Sequence, residues 1–321
     1  MNVRGRALLA VSVAAAVLVA VATTVVLLWV EPKLSKAEAV KTGGLAGGAV
    51  VALYALWLND RRRRTEEARH ELESDKVADE RFARAVEMLG DEADQVRVGA
   101  MHALAGLARS TPRYKQTVLD VLCAYLRRPF THAAYTKLAE DPDQAFHRFT
   151  AADKPTPEED RERTVRLTAQ RLITDLLPWG QDTDPTLYHL DLTGANVEYL
   201  RLEGRRVGRL TARRTRFHGI TAFREVSFGK PALFSGGEFL GRVDFRDARF
   251  TGGMSLQEVR FERPLDVRGA KVGEFLHMPP TAPELVGSVE LLPGTRVKED
   301  PTGWELTGRE GAVFQHHVQQ D

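Results

Sequence analysis

Three patterns of apolar and polar positions succeed one another along the chain. Over the first 60 positions the apolar residues are nearly continuous. Ala7–Val30 is a run of 24 residues without a charge. As a helix at ~1.5 Å per residue it is long enough to cross a ~30 Å hydrocarbon core with some tilt. A second uncharged run, Thr42–Asn59, is glycine-rich and, at 18 residues, stands near the lower limit for a span. The eleven residues between them, Glu31–Lys41, suit a tight helical hairpin. Arg4 and Arg6 also fit the start of a secretory signal, but the first run is too long for one, and no small-x-small cleavage site leads into a soluble start.

From 61 to 180 the apolar positions recur at helical spacing instead. Arg61–Leu89 is charged and free of proline and glycine, so it continues the second span as one helix. Gly90 stops that helix, and Asp91 with Asp94 offers a cap for the next, whose apolar face is Val96, Ala100, Ala103, Leu104 and Leu107. Ser110-Thr111-Pro112 opens another, with Val118, Leu119, Leu122, Tyr125 and Leu126 on its apolar side. Thr156-Pro157-Glu158-Glu159 reads as a capping box for a helix through Val165, Ala169, Leu172, Ile173 and Leu176. An irregular loop is expected over 140–156. The helices form a small all-α module, HEAT-like around Val96–Ala100, of a kind that binds proteins or acts as a spacer.

The third pattern is a repeat. Apolar centres stand at Leu192, Val197, Leu202, Val207, Ala212 and Phe217, each five residues from the last. The spacing then alternates six and five through Phe223, Phe228, Phe234, Phe239, Phe245, Phe250, Leu256, Phe261, Val267 and Val272. Small or apolar residues such as Ala195, Ala232, Val243, Ala248, Leu265 and Ala270 stand two positions earlier. A period of five is neither an amphipathic helix nor an alternating strand. It fits a solenoid that turns a corner about every five residues and stacks its centres in an inner ladder. Segments such as Ala195-Asn196-Val197-Glu198-Tyr199 and Ala248-Arg249-Phe250-Thr251-Gly252 make the chain resemble the pentapeptide-repeat family. The resemblance implies a right-handed quadrilateral β-helix of about four coils, widened at a corner wherever the step is six. It extends to membrane-anchored actinobacterial proteins of similar layout, and it implies architecture and location without a biochemical role. The domains expected are a two-span hairpin (1–60), the helical module (61–180), the solenoid (187–279) and a C-terminal cap or loose tail (280–321). Trp304 and Phe314 are candidates to pack on the last coil.

Charge refines this picture. Arg4 and Arg6 before the first span, and Arg61, Arg62, Arg63 and Arg64 after the second, outweigh Lys33, Lys36 and Lys41 between them. Positive-inside logic places both termini in the cytoplasm of a bacterial cell membrane. If the second run does not span, the C-terminal bulk lies outside. The arginine block also stands where anionic head groups would meet it, worth about 1 kcal/mol per residue. Gly43, Gly44, Gly47 and Gly48 make two overlapping G-x-x-x-G spacings, read either as packing against the first span or as a homo-oligomer interface.

Over the whole chain 45 basic residues balance 44 acidic ones, but 187–279 carries 16 basic against 11 acidic, a net of +5. Some pentapeptide-repeat proteins bind gyrase as DNA mimics, which needs an acidic surface; this one has the wrong sign. Arg205, Arg206, Arg209, Arg213, Arg214 and Arg216 make the first coils the most basic region, able to meet an acidic protein, anionic lipid or RNA, or simply to be a solvated face. The phenylalanines occupy core positions rather than a stacking platform, so no nucleic acid is expected. Arginine outnumbers lysine 35 to 10, the bias of a GC-rich bacterial genome.

Candidate chemistry is sparse. Cys123 is the one cysteine, which excludes an intrachain disulfide and any paired-cysteine zinc site. There is no H-E-x-x-H, G-x-S-x-G or G-x-x-x-x-G-K-[ST] motif. His316-His317 suggests weak metal capture at most. No catalytic residue, cofactor or metal is expected. The sequence reads as a non-catalytic scaffold displaying its solenoid to an unidentified protein partner beside membrane lipid, with a self-associating membrane effector acting through the glycine-rich hairpin as the alternative.

Overall fold

The computed structural model describes residues 3–30, 36–136, 155–279, 284–298, 304–307 and 313–316. The loop expected over 140–156 lies outside them except for Pro155 and Thr156, as do His317 and the side chains of Trp304, Phe314 and His316. The chain divides into two compact units, Met1–Val77 and Ala78–Asp321.

In the first unit, α1 (Val3–Val30) is followed by α2 (Lys36–Met88), a helix of 53 residues that runs on past the unit boundary. The second apolar helix therefore already includes Lys36–Lys41, ahead of the uncharged run that begins at Thr42. Val11–Val30 and Lys36–Arg64 are both long and apolar enough to cross a membrane. Thr23 and Thr24 return their hydroxyls to the carbonyls of Val19 and Ala20, leaving neither unsatisfied in an apolar setting. Beyond the apolar stretch, i,i+4 pairs support the helix: Asp60–Arg64, Arg63–Glu67 and Arg69–Glu73.

The second unit has one continuous core, from Ala85 through the helices and every coil to Leu291. Three helices pack against one another: α3 (Asp94–Ser110), α4 (Lys115–Leu126) and α5 (Pro157–Leu176). The Thr156–Glu159 capping box forms at α5. At α3 no side chain caps the helix; Asp91 instead accepts the backbone N–H of Ala93.

From Leu190 the chain winds into a four-sided parallel β-solenoid of short strands. The first face stacks Leu190–Asp191, Leu210–Thr211, Ala232–Leu233, Met254–Ser255, Phe275–His277 and Arg296–Lys298. The second stacks Asn196–Glu198, Arg216–His218, Glu238–Phe239 and Arg260–Phe261. Thr221–Ala222, Val243–Asp244, Leu265–Asp266 and Leu285–Val286 make the third. The fourth runs through Arg206–Val207, Ser227–Phe228, Arg249–Phe250, Ala270–Val272 and Ser288–Leu291, and Val313–His316 and Trp304–Thr307 extend it antiparallel.

Six strands on the first face make about five turns rather than four, because the winding continues beyond Val272 with Leu276, Met278, Leu285 and Val289 buried. Backbone register gives the coil length: Leu190 pairs with Leu210, 20 residues on, but Leu210 with Ala232 and Ala232 with Met254, each 22 on. The two extra residues enter at opposite corners, between the second and third faces and between the fourth and first, so the section stays four-sided. At these corners successive coils touch through backbone. A Cβ on Gly241 would stand 2.2 Å from the Gly219 carbonyl oxygen, and one on Gly252 2.4 Å from the Lys230 carbonyl carbon.

The centres point inward and stack coil on coil. Phe217 and Phe239 lie 4.3 Å apart and Phe239 and Phe261 5.0 Å apart, Phe223 and Phe245 5.5 Å, Phe228 and Phe250 5.1 Å, all nearly parallel. Phe234 comes from the first face and touches four other rings at 5.7–6.2 Å.

Candidate interaction surface

A solenoid begins with unpaired strand edges, which are templates for adding other chains. Here the helical module closes them face by face. The Gln116 amide donates to the His189 carbonyl and accepts from its N–H at 2.9 and 2.8 Å, standing in for a missing rung on the first face. Gln170, itself buried, accepts from the Glu198 N–H at 2.9 Å on the second face, and Thr174 donates to the Arg201 carbonyl on the third. On the fourth, Arg206 N–H donates to the Pro178 carbonyl and Gly180 N–H to that of Gly204, both at 2.8 Å. The helices are thus an N-terminal cap packed on the first coil, and the sides of the solenoid are left as its open surface.

Polar contacts fix this cap in place. Arg163 of α5 binds the buried carboxylate of Glu198 through two nitrogens, Nε at 2.8 Å, and that hydrogen bonding raises the Arg163 pKa. Tyr135 stacks on His218 at 4.0 Å, and His218 Nε2 lies 3.0 Å from Asn196 Oδ1. Burial pushes His218 down to about 4, so it is neutral at physiological pH. Burial likewise pushes the Cys123 thiol up to about 12, which makes it inert. Arg205 occupies an inward position of the first coil, its guanidinium 3.7 Å from the Trp179 ring centroid and bonded to the Leu177 carbonyl. Arg205 also lines a cleft with Lys115, Asp175, Asp182 and Asp184, while His218 and Cys123 are spent on packing. Among the described residues no group of His, Cys, Asp and Glu could hold a metal ion.

The sides differ in charge. On the second face Arg216, Glu238 and Arg260 alternate up the stack, with Arg216–Glu238 at 2.8 Å and Arg260–Glu238 at 3.4 Å. The third carries Arg246 on Asp244 and Arg268 on Asp266, with Arg246 reaching across to Asp266 at 3.7 Å. Burial raises the Asp244 pKa, but hydrogen bonds from Arg246 outweigh it and hold the carboxyl below its usual range. On the fourth, Lys271 pairs with Glu290 at 2.7 Å. The first face has one carboxylate, Asp191, next to the cap and paired with Arg127. Over 209–213, 231–235, 253–257, 275–279 and 296–298 it has none.

The arginine-rich stretch of the first coils is consequently dispersed, not assembled. Arg205 points inward, Arg206 bonds the carbonyls of Asp182 and Asp184, and Arg216 joins the second-face ladder. Arg209 and Arg213 remain on the first face and Arg214 on its corner, all exposed. Arg296 and Lys298, beyond the stretch singled out from sequence, complete that face. In the first unit, Gly43 lies against the Ala20 carbonyl and Thr24 of α1, and Gly47 against the Ala16 carbonyl, while Gly44 and Gly48 have no atom within 4 Å of a Cβ position. Arg61, Arg62, Arg63 and Arg64 are exposed, with Arg61 over the Trp57 ring at 5.4 Å.

A parallel β-solenoid with a helical N-terminal cap is the class this geometry defines. Within it, residues 212–260 match the family model for pentapeptide repeats, in nine copies. The same winding extends past the matched segment in both directions, from Leu190 to Lys298. No curated protein and no solved structure matches the chain.

Proposed function

We propose that this protein is a membrane-anchored, non-catalytic interaction protein that displays its solenoid on the cytoplasmic side of a bacterial cell membrane. The observation that carries the reading is the continuous core of the second unit, which holds four flat sides rigid and leaves their outward residues free for contact. A preorganised surface loses little entropy on binding. Two apolar helices followed by Arg61–Arg64 support the anchoring and the orientation. Chemical crosslinking of the full-length protein in native membranes, with linked residues located by mass spectrometry, tests it. Links from residues 190–298 to another protein are the expected result. A second reading, self-association through the hairpin, has Gly44 and Gly48 in its favour, whose sides are open, whereas Gly43 and Gly47 are occupied by α1. Self-links confined to residues 36–60, with none from the solenoid, would decide for that reading.

A further inference from the structure

We infer that the first face of the solenoid is the docking surface, and that its occupant is an acidic protein segment carrying an apolar centre. This rests on the reading of the solenoid as an interaction module and names its side and its partner's chemistry. On the second and third faces Arg216, Arg260, Arg246 and Arg268 pair with carboxylates, while Arg201, Arg242 and Arg249, on the third and fourth, are exposed singly with no ion pair among the described residues. On the first face, Arg209, Arg213, Arg296 and Lys298 are exposed and form no ion pair among the described residues. Lys230 and Arg214, at its corners, are exposed too and form no ion pair among the described residues. Glu258 and Glu274, which flank the first-face strands in sequence, sit at left-handed corner positions with φ of 56° and 49°. Arg213 acts on Asp191 beside the cap, and the other cations of the face, gathered without ion pairs among the described residues, repel one another until an anionic partner arrives.

The layout selects among anions. The cations stand beside the second and third strands and on the sixth, and between them the half-buried outward residues are Pro231, Leu233, Phe275 and His277, with Phe275 and His277 in contact at 4.9 Å. Arg209 and Arg296 lie on the second and sixth strands of the stack. At ~4.8 Å per strand, those ends are about 19 Å apart, which about six residues of extended chain would span. A nucleic acid strand carries its charge evenly, and a bilayer surface is a uniform sheet of head groups. An acid–apolar–acid peptide matches a basic–apolar–basic strip.

The test uses the full-length chain in zwitterionic nanodiscs and fluorescence anisotropy of a labelled peptide of about ten residues, with acidic ends and a Leu-Phe centre. Its counterpart has lysine for every acid. Two triple variants carry the same change of charge: Arg209→Glu/Arg213→Glu/Arg296→Glu on the first face, and Arg201→Glu/Arg242→Glu/Arg249→Glu on the third and fourth. Circular dichroism checks that both remain folded. The acidic peptide is expected to bind in preference to the lysine peptide and to weaken with salt. The first-face variant should lose about tenfold or more, and the control variant less than about twofold. Equal losses in both variants would overturn the proposal, as would short single-stranded RNA or phosphatidylserine vesicles displacing the peptide and holding the first face more tightly. If the membrane crosslinks of the full-length protein arise from the second, third or fourth face alone, this assignment fails while the interaction reading stands. If no link arises from any face, both fail.

Discussion

Replacing Arg163 by methionine tests whether the helical cap and the solenoid are one cooperative body. Arg163 and Glu198 are 35 residues apart and belong to different halves of the unit, and the Glu198 side chain is 2% exposed. Its Oε1 and Oε2 are both bound by Arg163, so the substitution removes both hydrogen bonds to the carboxylate and its counter-charge. Stranding a buried carboxylate costs about 3–5 kcal/mol, a large share of the ~5–15 kcal/mol that holds a typical domain. Removing both partners, with Arg163→Met and Glu198→Leu together, should restore most of that loss, because exchanging a buried ion pair for apolar contact is often close to neutral. The assay is urea unfolding of the full-length protein in detergent, followed segment by segment by hydrogen exchange. Arg163→Met should lower the stability of α3–α5 and of the coils together, at one midpoint. A loss under about 1 kcal/mol, or helices that open at a different urea concentration from the coils, would refute the argument.

Other consequences are as direct. Phe234→Ala, at a fully buried ring that meets four others, should cost about 3–5 kcal/mol in the same assay, and Phe234→Leu markedly less. Gly241→Ala forces a Cβ against the Gly219 backbone at a stacked corner and should cost about 1–3 kcal/mol, whereas Gly44→Ala, where nothing lies within 4 Å, should leave stability unchanged. His218 is depressed from 6.5 to about 4 in the folded state, so the unfolded chain binds its proton first as the pH falls. Stability should therefore decline between about pH 6.5 and 4 by up to about 3 kcal/mol and level off below, and His218→Gln should flatten that part of the curve. Cys123 should resist thiol reagents at neutral pH until the second unit unfolds.

The inner ladder was legible because a solenoid leaves no choice at its centre positions: Phe217 to Phe261 had to be apolar, and their spacing of five or six reads straight off the chain. The turn count fell short because the centres after Val272 lose the aromatic pattern while the winding goes on through Met278 and Val289. Arg205 defeats the pattern altogether, since an arginine two positions before a centre reads as surface until Trp179 is seen to cover it. The cap was not legible either. Gln116 with His189 and Gln170 with Glu198 are ordinary polar residues, 73 and 28 positions apart, that matter only once the fold brings them together. The net charge of the repeat likewise concealed the first face, because a sum over 187–279 mixes four sides, two of them laced with ion pairs and the first with its one carboxylate beside the cap.

The most direct measurement is site-specific photo-crosslinking in living cells, with the reactive side chain at Leu233 on the first face and, separately, at Leu240 beside the second. Adducts to a protein from position 233, lost when Arg209, Arg213 and Arg296 are reversed, and absent from position 240, are the expected result. Adducts from position 240 alone, or adducts to lipid alone from position 233, would contradict the assignment of the first face as a protein-docking surface.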